Sequence, residues 1–591
     1  MAAMSCFSLA QLPILFTSSS STRIVSCPRN PRSIQRSCKI VNTTEKMEEP
    51  PRRSANYHPT IWDHSTIQSI QSLCSLEVML YGNTLERRRE LLKIEVKLLL
   101  DASDDPLAQL QLIDSIQRLG IAYHFDNEIK SILDRIYECH VDPEVLGCVE
   151  KTALAFRLLR QHGYDVSTDV FHKYRNSQGF KDSLTHDVKG MLSLYEASFL
   201  SFPGEQVMED AKESSVRHLE NLTQNVRLDI EEQVRHSLEV PLHRRMRRLE
   251  AREYIDVYQS KEGKSCVLLE FAKVDFNYVQ IRHQVELKEL SKWWTSLDLE
   301  SVLSFTRDRL VENYLWAIGF VYEPHMSKCR IGLTKAICIL SIIDDVYDIY
   351  GFFEEAKILT KTIKIWDPHE MRNLPKNIKL CYKIIHNYIE EITTDILLDH
   401  GCNVMPILKK EWEIFCETHL VEAKWFNDGY TPYLKEYIEN AWISAGGPMA
   451  MVFAYCLQGH TLGDNSLNCL KQGFIPIYWS SLILRLNDDL ATSKAEMERG
   501  DNDKSIQCYM RETNEPEDVS REYIQNLVDH SWKELNQEYI RTHLPKNFMN
   551  VVVNMARASH CIFQYGDGIG DSTGTTKNHI LSLFFNNVPL E

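Results

Sequence analysis

The chain has 591 residues, more than one ordinary hydrophobic core accommodates, so two or three domains are expected. A formal net charge of −16 argues against a nucleic-acid partner, although local Arg and Lys or bridging metal ions still allow an anionic substrate. The 16 cysteines are scattered without a C-x-x-C pair, which fits reduced thiols better than a disulfide scaffold or a zinc site, and no apolar run is long enough for a transmembrane span.

Residues 1–44 contain no Asp or Glu, include the run Ser18 to Ser21, and carry Arg23, Arg29, Arg32, Arg36 and Lys39. This is transit-peptide composition, so residues 1–50 are read as a plastid (chloroplast) targeting segment, with the mitochondrion as competitor. The apolar stretch Leu12 to Phe16 is too short for a secretory signal.

Beyond residue 50 the periodicity predicts helix nearly throughout. Leu91 to Leu100 alternates apolar and charged faces at helical spacing. Leu110, Ile113, Ile116 and Leu119 lead to a glycine stop at Gly120, and Val149 to His162 followed by Gly163 repeats that layout. Period-two alternation is lacking, so few strands are expected and the fold class is all-α. The polar stretch Ser260 to Ser265, with Gly263, is a candidate linker. It divides the chain into domains over 51–262 and 263–591. In the first, Asp104-Asp105 before Pro106 reads as a helix start, and no acidic metal cluster is expected.

The chemistry lies in the second half. Asp344 and Asp348 follow the apolar run Ile337 to Ile343, and on a helix they share one face, while Asp345 points about 100° away and serves as support. Like charges at that spacing repel, so a cation belongs there, and hard oxygen donors favour Mg²⁺ or Mn²⁺. Asp488, Thr492 and Glu496 form a second stripe of oxygen donors at i, i+4 and i+8. A register beginning at Asn487 is conceivable, but only Asp488 places Thr and Glu at +4 and +8. Mg²⁺ prefers to share its shell with phosphate oxygens, so two facing stripes imply a diphosphate ligand. Arg307, Arg485 and Lys504 stand near the stripes, and Arg485, inside an apolar helix, requires a partner.

These motifs, with Arg307-Asp308-Arg309 upstream and Arg52-Arg53 preceding Trp62 by eight intervening residues, resemble the plant class I terpene synthases, in particular the angiosperm monoterpene synthase branch. The resemblance implies two all-helical domains, a catalytically silent barrel-like N-terminal one and a C-terminal class I bundle. It implies that Asp344 and Asp348 bind Mg²⁺ (or Mn²⁺) from one wall and Asp488, Thr492 and Glu496 from the other, three ions per site. Arg307, Arg485 and Lys504 then hold the diphosphate, and Arg52, Arg53 and Trp62 form an N-terminal cap.

The implied reaction is ionisation of geranyl diphosphate to an allylic cation and release of a monoterpene olefin, with a lean toward an acyclic product of the ocimene or myrcene type. Trp316 is expected in the wall of the cation pocket, with Tyr565 and Tyr347 as further aromatic candidates. The break Ser444 to Pro448 is read as a source of free carbonyls, and Gly566 to Gly574 as a lid. No acid–base dyad stands out, so bound diphosphate is the candidate proton acceptor. A sesquiterpene synthase using farnesyl diphosphate, a hemiterpene synthase using dimethylallyl diphosphate and a non-catalytic helical-repeat scaffold are the alternatives. The expected state is a monomer or weak homodimer, without nucleic acid or membrane span.

Overall fold

A computed structural model describes residues 52–69, 83–102, 105–138, 146–177, 179–221, 228–458 and 474–590. The expected targeting segment 1–50 and Asp104 lie outside the described residues.

The N-terminal half opens on an extended strap from Arg52 into α1 (His64–Ser69), followed by α2 (Asn83–Asp101), α3 (Pro106–Arg118), α4 (Asp126–Glu138) and α5 (Val149–Gln161). It continues through α6 (Val188–Ser198), α7 (Gln206–Glu220), α8 (Leu228–Glu239) and α9 (Arg247–Ser260). The α3 start is as expected: Asp105 accepts from the Leu107 and Ala108 amides, ahead of Pro106 at the first turn. Among the described residues the only strands are the two-residue antiparallel pair Arg175–Asn176 and Gly179–Phe180.

A turn at residues 261–265, with Gly263 at φ +72°, leads into α10 (Cys266–Ser296). This 31-residue helix is about 46 Å long and touches α2 and α9 on one side, α11 and α12 on the other. Ser265 caps it by accepting from the Leu268 amide.

The C-terminal half then runs α11 (Leu310–Phe320), α12 (Ser327–Asp345), α13 (Phe353–Ile365), α14 (Lys376–His400), α15 (Met405–Asp428), α16 (Leu434–Ser444) and α17 (Gly447–Leu457). It ends with α18 (Phe474–Arg499), α19 (Ser505–Thr513), α20 (Glu517–Arg541), α21 (Lys546–Phe563) and α22 (Thr575–Ile580). Helices α11, α12, α15, α17, α18 and α21 pack pairwise around one cavity. Every side chain of α11 is buried, as a helix inside a bundle requires. The halves are joined by partly buried polar contacts, among them Asp529 of α20 against Arg244 at 2.7 Å and Lys212 at 3.1 Å.

In the first half, where no acidic metal cluster is expected, one group of candidate ligands does come together. His236, Glu250 and Glu253 bring ligand atoms within 4.8 Å of one another. They come from α8 and α9, a proximity that spacing along the chain does not reveal. The Glu250 carboxylate is already taken by Arg118 at 2.8 Å and Arg245 at 2.7 Å. Burial opposes its charge, but the two guanidinium groups win and hold it at about 2.

The candidate active site

The first wall is the end of α12. Its apolar residues sink into the bundle and carry Asp344 and Asp345 to the helix terminus. There the backbone widens into a single π turn over Val346–Tyr350, closed by the Gly351 amide on the Val346 carbonyl at 2.8 Å. Asp344 and Asp348 remain on one side, with carboxylate oxygens and a nitrogen of His419 within 4.8 Å of one another. Asp345 is fully buried and faces away. It accepts from the Arg307 amide at 3.0 Å and lies 2.9 Å from the Arg307 guanidinium, which also donates to Asp344 at 2.8 Å. Asp345 therefore positions Arg307.

The second wall is α18. Arg485 Nη2 stands 2.6 Å from Asp488 and 2.6 Å from Asp489. Asp489 is fully buried, accepts from the Tyr437 hydroxyl at 2.9 Å and the Ser505 amide at 3.3 Å, and plays for Arg485 the part Asp345 plays for Arg307. Asn487 turns away from the cavity and donates to Ser559 at 3.1 Å. Asp488, Thr492 and Glu496 line the cavity, and Lys504 lies 3.8 Å from Glu496.

Between the walls lies a cavity of about 190 Å³. One end is lined by both acidic stripes with Arg307, Arg485 and Lys504, the other by Trp316, Phe320, Ile337, Leu340, Met555 and Phe563. The break between α16 and α17 also faces it, with Gly446 at φ +76°.

The electrostatics of the polar end suit bound cations. Burial, then the Asp344 charge, pushes Asp348 up to about 7. Burial, against Arg485, pushes Asp488 up to about 7, and burial raises Glu496 as well. Asp344 moves the other way: burial is outweighed by the His419 hydrogen bond and Arg307, which hold it below the usual carboxylate range. Glu496 Oε2 is buried without a hydrogen-bond acceptor–donor partner, and so are two donors, Arg307 Nε and Arg485 Nε. Unsatisfied oxygens beside unsatisfied guanidinium nitrogens suit divalent cations shared with a phosphate-type anion.

The strap covers this end. Arg52 grips Glu355 through two nitrogens, at 2.6 and 2.8 Å, and donates to the Tyr350 carbonyl at 3.0 Å. Arg53 donates to the Asp348 carbonyl at 3.2 Å and pairs with Asp501. Trp62 donates to the buried Glu312 at 3.1 Å, and Ser572 of the C-terminal loop donates to the same oxygen at 2.6 Å. Arg309 joins the same two segments, donating to the carbonyls of His58, Ile569 and Gly570. Asp567 and Ile569 of that loop line the cavity.

Two aromatic expectations fail. Tyr565 is 57% exposed, donates to Glu239 and lines a separate cavity of about 590 Å³. Helix α21 ends at Phe563, which lines the site, and the turn beyond it carries Tyr565 outward. Tyr347 is buried with its hydroxyl 2.7 Å from Thr360 and does not line the cavity. Sequence reasoning also missed His419, 3.3 Å from Asp344, and Tyr57, Asp501 and Asp567. His419 and Glu422 lie one turn apart and buried on α15, a burial that the sequence alone does not reveal.

Residues 61–238 match the family described as "Terpene synthase, N-terminal domain", and residues 295–534 match "Terpene synthase family, metal binding domain". The chain is 50% identical over 539 residues to the trans-ocimene synthase, chloroplastic, of Litsea cubeba, covering 91% of each chain. The chain belongs to the terpene synthase family. A crystal structure of limonene synthase with 2-fluorolinalyl diphosphate superposes with a TM-score of 0.87 at 35% identity, covering 91% of this chain and 100% of that one. Isoprene synthase from grey poplar, in complex with three Mg²⁺ ions and dimethylallyl-S-thiolodiphosphate, superposes with a TM-score of 0.81 at 36% identity, covering 90% and 99%. This terpene synthase is thus a lyase with the family's two-domain helical fold and a divalent-metal-binding domain. Among the described residues no helix is long and apolar enough to cross a membrane.

Proposed function

We propose that this terpene synthase ionises geranyl diphosphate to an allylic cation and releases a monoterpene olefin of the acyclic, ocimene or myrcene type. The carrying observation is the cavity itself: two carboxylate stripes and three cationic side chains at one end, an aromatic and aliphatic wall at the other. The enzyme is a plastid monoterpene synthase, in keeping with its chloroplastic ocimene synthase relative. We assign residues 51–262 to the N-terminal domain and 263–591 to the catalytic one.

Asp344 and Asp348 hold Mg²⁺ (Mn²⁺ as an alternative) from one side, and Asp488, Thr492 and Glu496 from the other, three ions in all. These ions supply Lewis-acid neutralisation of charge on the leaving diphosphate. Arg307 and Arg485 each keep a buried Nε free to donate to diphosphate oxygens, while Lys504 adds a compact positive charge. Asp345 and Asp489 hold the two guanidinium groups in place, so charge stabilisation costs little reorganisation at ionisation. Trp316 faces the hydrocarbon, where a cation over its ring gains about 0.5–2 kcal/mol. The strap and the C-terminal loop exclude water, and released diphosphate takes the final proton. The test is Asp344→Ala in protein lacking residues 1–51: turnover of geranyl diphosphate should be abolished, and near-normal turnover refutes the metal assignment.

A further inference from the structure

The strap contributes one side chain to the cavity that no motif marks. Asn56 adopts a left-handed conformation (φ +50°), its amide held by Ser54 Oγ at 3.2 Å, and this turn directs Tyr57 inward. The Tyr57 ring lies under the Arg307 guanidinium, 4.6 Å from Cζ, and 5.8 Å from Arg499 Cζ. Arg307 belongs to the first wall, and Arg499 is the last residue of α18, so the ring stands between the two walls. Both neighbouring backbone segments are pinned: Arg53 sits on the Asp348 carbonyl at 3.2 Å, and the His58 carbonyl accepts from Arg309 at 2.9 Å.

The Arg307 guanidinium is thus bounded on three sides. Asp344 and Asp345 take Nη2 along its edge, the Tyr57 ring covers a face, and Nε remains buried and unpartnered. Without the ring, the edge contacts alone leave the guanidinium free to tilt, and water reaches the cavity mouth. We propose that Tyr57 is a positioning residue of the diphosphate site: its ring face fixes Arg307 with Nε presented to the anion and seals that end of the cavity. This rests on the terpene synthase reading. The π face is the active feature, and the hydroxyl is dispensable.

Two measurements test it on protein lacking residues 1–51. The first is calorimetric binding of inorganic diphosphate in Mg²⁺, which is independent of substrate chain length. Tyr57→Ala is expected to bind about tenfold more weakly, and Tyr57→Phe to recover the loss. Tyr57→Leu fills the space without a π face and is expected to resemble Tyr57→Ala; it decides the matter should the alanine variant not fold. Wild-type binding by Tyr57→Leu, or Tyr57→Phe as weak as Tyr57→Ala, overturns the proposal.

The second is the product ratio from geranyl diphosphate. Water entering an unsealed site adds its oxygen to the allylic cation and loses a proton to the released diphosphate, giving an alcohol. The alcohol share is expected to rise in Tyr57→Ala and to return to wild type in Tyr57→Phe; an unchanged share in Tyr57→Ala overturns the seal. Failure of the wild-type enzyme to turn over geranyl diphosphate would instead count against the proposed substrate, leaving the diphosphate comparison intact.

Discussion

Arg53 donates to the main-chain carbonyl of Asp348 at 3.2 Å. A residue of the N-terminal strap thus bonds directly to the aspartate-rich motif, almost 300 positions along the chain. The π turn over Val346–Tyr350 makes this possible, because it opens the ladder where the strap docks. Arg53 also pairs with Asp501, in the loop that leads to Lys504. Replacing it with alanine removes the strap's bonds to Asp348 and Asp501 while the Arg52 contacts stay. We expect kcat/KM to fall about 10- to 100-fold, the worth of a charge-assisted hydrogen bond or two, with little change in thermal stability. Steady-state kinetics and a melting curve check this; an unchanged kcat/KM contradicts the docking role.

Gly446 sits at φ +76° in the break between α16 and α17, and a Cβ there would come 2.2 Å from Leu340 Cδ1. Gly446→Ala therefore combines backbone strain with displacement of a side chain that lines the cavity. We expect a loss of about 1–3 kcal/mol in denaturant unfolding and an altered product distribution by gas chromatography. A variant with wild-type stability and products would show that neither the turn nor Leu340 is constrained.

Asp529 ties the two halves together. Burial opposes its charge, but Arg244 and Lys212 prevail and lower it from 3.8 to about 2. A carboxylate whose folded pKa lies below its unfolded value stabilises fully above the unfolded value, and that stabilisation is lost as pH falls through the folded one. Asp529→Asn is expected to cost on the order of 2 kcal/mol at pH 7. The gap to wild type should narrow between about pH 4 and pH 2. Unfolding titrations at several pH values measure it; a gap independent of pH contradicts the linkage.

The shared face of each acidic stripe was legible because each lies on one continuous helical segment, α18 for the second and α12 with its π turn for the first, and Asp344, Asp348, Asp488, Thr492 and Glu496 all line the cavity. Asp345 and Arg485 were legible for the same reason. The all-helical fold and the α3 start followed from local signals, apolar period and the Asp105-Pro106 cap. What escaped were relationships between elements. His419 reaches Asp344 from α15, Tyr57 reaches Arg307 from the strap, and His236 reaches Glu253 across two helices. No spacing encodes such pairs. Tyr565 failed for the opposite reason: it lies two residues past a helix end, where helical phase no longer determines direction.

The most direct measurement is diphosphate release by protein lacking residues 1–51, supplied in turn with geranyl, farnesyl and dimethylallyl diphosphate, with Mg²⁺ and with chelator. We expect release from geranyl diphosphate to require the metal, to exceed that from the other two, and to be matched by a volatile monoterpene olefin. Release independent of the metal, or turnover of farnesyl diphosphate alone, contradicts the account.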